Sequence, residues 1–111
     1  MSENSHERKL KVRCYYTDYV NHMIRFYLTT PESLQVQGKR KADISNWIAV
    51  QDVWRKLGAE EKEVLEKVYS LHYRTTEAVK IYCEQTGADT YKTWVLITKT
   101  VAQIAKRRGL V

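Results

Sequence analysis

Apolar residues recur along most of this chain at spacings of three and four, the repeat of a helix with one buried face. Tyr16, Tyr19, Val20, Met23, Ile24 and Tyr27 make the first such stripe, in a helix predicted over residues 12–30 and closed by Pro31. A second helix is predicted from Asp43 or Ser45 to Leu57. It turns Ile44, Trp47, Ile48, Val50, Trp54 and Leu57 inward, with Gly58 as its stop. Both indole N–H groups then need an acceptor inside the core. The third, Ala59 to Tyr69, opens with Glu60, Glu61 and Glu63, where the helix dipole favours negative charge, and buries Val64, Leu65, Val68 and Tyr69. Thr75 or Thr76 is the expected cap of a fourth helix, with Ala78, Val79, Tyr82 and Cys83 inside. Gly87 can end it in a left-handed conformation and Asp89 can cap a fifth, which stops at Gly109 after Lys106, Arg107 and Arg108. The expected fold is all-α, about five helices, with a C-terminal helix-turn-helix packed on an N-terminal helix. Residues 1–11 lack apolar periodicity and read as a disordered terminus. The rest, 12–111, reads as a single helical domain, with a linker at 31–42 and the helix-turn-helix within 43–111.

The fifth helix divides on a wheel. Tyr91, Trp94, Val95, Ile97, Val101, Ala102, Ile104 and Ala105 gather on one side, and Lys92, Thr93, Lys99, Thr100, Gln103, Lys106 and Arg107 on the other. Leu96 alone breaks the division. The polar side holds cations and hydrogen-bonding groups, and no carboxylate follows Asp89, as suits a surface facing phosphates and base edges. A solvated helix face has the same polarity, so the wheel alone does not separate the two.

Charge sharpens this picture. The chain has 111 residues, with 19 Lys and Arg against 13 Asp and Glu, and this net +6 favours a polyanionic partner. The run Lys39-Arg40-Lys41 in the linker could hold a phosphate backbone or be an ordinary solvated loop. Tyrosines are dense in the first helix, and at helical spacing aromatic rings favour a core or a dimer seam over base stacking. Cys14 and Cys83, only two and far apart, read as reduced, buried thiols, and the polar N-terminus reads as no signal peptide, which together imply a cytoplasmic setting. No apolar run approaches the ~20 residues of a membrane span. His6, His22 and His72 lie in separate segments without metal-ligand spacing to either cysteine, and no phosphate loop or nucleophile elbow occurs. Neither an enzyme nor a metal or other cofactor is therefore expected.

Residues 47–111 run W-x6-W-R-K-L-G-A-E-E-K-E-V-L-E-K-V-Y, then T-E-A-V from Thr76, then Y-K-T-W-V-L-I from Tyr91 and I-A-K-R-R-G-L-V to Val111. This succession resembles sigma-factor region 4 and, within it, the small late-gene transcription regulators of the ArpU and RinA type from phages and prophages of Gram-positive bacteria. The resemblance implies that a helix with an acidic start precedes a helix-turn-helix whose last helix reads DNA. It also implies a core residue about six positions after the turn glycine, at Thr93, where the obvious apolar residue is Trp94. That departure suggests a turn one residue longer, or another place for Gly87. The expected function is a sequence-specific, double-stranded-DNA-binding regulator of transcription, associated with the nucleoid of a bacterial host. Thr90, Lys92, Thr93, Leu96, Lys99 and Thr100 are the candidates for base edges. Lys39, Arg40, Lys41, Gln103, Lys106, Arg107 and Arg108 are those for phosphates. RNA polymerase and a second copy, joined through the tyrosine-rich helix, are candidate partners, since one recognition helix reads only a few base pairs. Two other uses fit the same composition: a phage DNA-packaging component, and a protein-interaction module built on the first helix's aromatic face and the tryptophans.

Overall fold

The structure, a computed structural model, describes residues 16–30 and 41–111. Within them the chain forms five helices and no strand: α1 (Thr17–Thr29), α2 (Lys41–Trp54), α3 (Ala59–Leu71), α4 (Thr75–Thr86) and α5 (Thr90–Arg108). All five contribute to one core, in which Ile24 of α1, Val50 of α2, Leu65 and Val68 of α3, Val79 of α4 and Ile104 of α5 are almost wholly buried. The all-α expectation holds.

Local chemistry explains the helix ends, and two differ from expectation. Gly58 does not stop α2 in a left-handed conformation; its φ is −70°, and it stands at the N-cap of α3 with its N–H donating to Glu61 Oε1 at 2.9 Å. The end of α2 is tightened instead by bonds of Lys56 N to Val53 O and Leu57 N to Trp54 O, both 3.1 Å. α4 begins after Arg74 rather than at a threonine cap; Thr75 is its first residue, and its hydroxyl accepts from Arg25 Nη2 at 3.2 Å. Gly87 (φ 73°) and Gly109 (φ 81°) do end α4 and α5 in the left-handed region, and the Leu110 N–H closes the second of these ends on Ala105 O at 2.8 Å.

Aromatic and polar pairs tie the helices together. Trp47 and Trp54 are buried as expected, with the Tyr27 ring lying 5.1 Å and 5.7 Å from theirs. Among the described residues neither indole nitrogen has an acceptor. Ile48, expected inside, is 47% exposed, and its place in the core is filled by Ala49 and Val53. Tyr19, also expected inside, is exposed on its side and accepts from Asn46 Nδ2 at 2.8 Å. Between α1 and α3, Tyr69 donates from its hydroxyl to buried Asn21 Oδ1 at 2.6 Å. Arg25 lies 5.3 Å above the Tyr69 ring and donates to His72 O at 3.3 Å. Burial holds the Arg25 guanidinium below its ordinary range and, more strongly, pushes the Tyr69 hydroxyl well above it.

Candidate nucleic-acid interface

Only Gly87, Ala88 and Asp89 separate α4 from α5. The turn is closed from both ends. Gly87 N–H donates to Cys83 O at 2.9 Å, and the Thr86 hydroxyl donates to Tyr82 O at 2.7 Å while accepting from Ala88 N–H at 3.2 Å. On the other side Asp89 Oδ2 accepts from Lys92 N–H at 2.8 Å, the expected cap. Two helices joined by three residues with a left-handed glycine have the connection of a helix-turn-helix.

The rotation of α5 differs from the wheel built on polarity. Thr93 and Thr100, expected at base edges, are buried at 5% and 1% exposure, beside Ile97, Val101, Ile104 and Ala105. Each hydroxyl donates to its own helix one turn back, Thr93 to Asp89 O and Thr100 to Leu96 O, both at 2.8 Å. With the polar atom satisfied there, the methyl group is free to pack inward. Conversely Tyr91 (77% exposed) and Val95 (48%) lie outside the core, and Ala102 is exposed with them. Thr93 is the first buried residue of α5, six positions after Gly87, while Trp94 is half-buried. The turn needs no additional residue.

The outward face of α5 therefore combines Lys92, Val95, Lys99, Ala102 and Lys106, with Tyr91 and Gln103 at its flanks. Thr90, the first residue of the helix, is exposed as expected. Leu96, a base-edge candidate, is instead half-buried against the core and lines a groove with Glu60, Glu61 and Val64 of α3. Cys83, expected to be buried, is half-buried, with its Sγ 3.8 Å from Thr93 Oγ1. Cys14, Lys39 and Arg40 lie outside the described residues.

The remaining cations divide by what already holds them. Lys41 is exposed as the first residue of α2 rather than part of a linker. Arg107 pairs with Asp52 through Nε at 2.9 Å. Arg108 is half-buried and its Nε donates to Asn46 Oδ1 at 2.6 Å, which ties the end of α5 onto α2. Lys92, Lys99 and Lys106 have no carboxylate within ion-pair distance among the described residues, whose ion pairs are Lys67–Glu63 and Arg107–Asp52.

Beside this face a groove of about 480 Å³ runs between α5 and the end of α2. Lys99, Gln103, Lys106 and Arg107 line it from α5, and Asp52 and Lys56 from the opposite wall. A wheel drawn for one helix could not bring Lys56 to this place, since its position depends on how α2 packs against α5.

Among the described residues no cluster of three or more His, Cys, Asp or Glu side chains could hold a metal ion, and no helix is long and apolar enough to cross a membrane. No family model, curated protein or solved structure matches the chain.

Proposed function

We propose that this protein binds double-stranded DNA selectively through α5 and acts in the control of transcription. The observation that carries the reading is a pair of helices with a helix-turn-helix connection, the second of which turns outward three lysines with no ion-pair partner among the described residues, and no carboxylate. The transcriptional role rests on the resemblance of residues 47–111 to sigma region 4. In this reading Thr90, Tyr91, Lys92, Val95 and Lys99, on the first half of α5, meet base edges, and Val95 offers the apolar contact for a thymine methyl. Gln103 and Lys106, farther along, meet the backbone. A recognition helix of this size covers few base pairs, so selectivity is completed by a second copy or by RNA polymerase. Both tryptophans are buried, tilted against the Tyr27 ring, and so are not surface anchors for the protein-interaction alternative.

Selection from a pool of random duplexes at two salt concentrations tests the proposal. One recovered motif, with affinity falling steeply as salt rises, is expected. Lys92→Gln should weaken binding to that motif about tenfold and relax its preference, the loss of one contact worth about 1–3 kcal/mol. Thr100→Val should bind as the parent does. Absence of binding at low salt overturns the reading.

A further inference from the structure

We infer that the groove between α2 and α5 is a track for one strand's phosphate backbone, and that Lys56 is its outer wall. The inference rests on the DNA-binding reading and extends it to a side chain outside the helix-turn-helix. Six of the groove's side chains are charged, and their pairing decides its sign. Asp52 is neutralised by Arg107 at 2.9 Å. Glu61 accepts from the Gly58 N–H at 2.9 Å at the start of α3, where the helix dipole offsets its charge. That leaves Lys56, Lys99 and Lys106 uncompensated, with Gln103 as a neutral donor between them. Among the described residues, three ammonium groups on two walls against one partly offset carboxylate leave the groove positive, which suits a chain of phosphodiesters passing between them.

The geometry of α5 gives the strand a reason to be there. Its 19 residues extend about 28 Å, more than twice the major groove's width of about 12 Å. As the first half of α5 follows the bases, the second half must leave the groove across a backbone. Gln103 and Lys106 lie on that second half, Lys99 stands at the middle of the helix where base edges give way to backbone, and Lys56 faces them from the turn that follows α2. Lys56 is exposed, but its backbone is fixed by the bond from its N–H to Val53 O at 3.1 Å, so its ammonium is presented from a defined turn. Because phosphates are alike in every sequence, contacts here add affinity without changing the preferred motif.

The test compares Lys56→Gln with Lys67→Gln in the full chain, on the recovered motif and on an unrelated duplex, across a salt series. Lys67 carries the same charge but is paired with Glu63 at 3.1 Å and does not line the groove. Lys56→Gln should lower affinity about three- to tenfold at about 0.1 M salt, equally on both duplexes, and reduce the slope of log K against log salt by about 0.9. Lys67→Gln should leave both unchanged. A parental slope and affinity for Lys56→Gln would overturn the track while leaving DNA binding intact. Equal losses for both variants, or a changed sequence preference for Lys56→Gln, would also overturn it. Failure of the parent chain to bind any duplex would overturn the functional reading and the track together.

Discussion

A threonine lies comfortably in a helical core when its hydroxyl closes on the carbonyl one turn back, as Thr93 and Thr100 do. Glycine is the opposite case, a residue whose value lies in the backbone. Gly87 holds φ at 73°, and a Cβ built there would meet nothing within 4 Å. Gly87→Ala should therefore cost only the left-handed conformation, about 1–2 kcal/mol, and Gly87→Asn less, as measured by denaturant unfolding. Gly87, Gly109 and Asp89 were legible from their order along the chain, because each role depends on its neighbours in sequence. Thr93 and Thr100 were not, since polarity places a residue outside unless its hydrogen bond is known. Gly58 misled for a related reason: glycine before a helix and glycine after one look alike until φ is known.

At the scale of the element, the start of α5 is set by Asp89. Asp89→Ala removes the acceptor for Lys92 N–H and should destabilise the protein by about 1 kcal/mol, with faster amide exchange in the first turn of α5 as the local sign. Unchanged exchange there would show that packing alone fixes that end. The five helices were readable because their apolar stripes are long and regular. Their rotations were less so. Ile48 and Tyr91 are apolar yet outside, where small residues such as Ala49 or a satisfied threonine fill the inward position, and hydrophobicity alone cannot rank such neighbours. The rotation matters most in α5, where about a fifth of a turn exchanges Thr93 and Thr100 for Tyr91 and Val95 on the face offered to a ligand.

The whole molecule responds to pH through Tyr69. Its hydroxyl is buried against Asn21, and desolvation raises its pKa far above the ordinary 10.0. A raised pKa in the folded state means that stability is full below about pH 10 and falls as pH climbs above it, because only the unfolded chain then releases the proton. Thermal unfolding followed from about pH 9 to 11 should show this loss. Tyr69→Phe should reduce the pH dependence, at a cost of about 1–2 kcal/mol at neutral pH for leaving Asn21 Oδ1 unbonded. A slope identical in both proteins would assign the alkaline loss to other groups. What joins distant segments was the part least visible in the chain. Lys56 belongs with Lys99 and Lys106 only after α2 and α5 have packed, and Arg108, one more cation in sequence, does not line their groove but is tied to Asn46.

Lys92, Lys99 and Lys106 stand seven residues apart on a single uninterrupted helix. An α-helix is stiff, so the row works as a ruler, with attachment points set about 10 Å apart and turning by about 20° at each step. Such a scale cannot shorten or bend to suit its object. A polyanion that holds its own charges at fixed separations can match all three marks at once, whereas a slack one must surrender chain entropy to be measured against them.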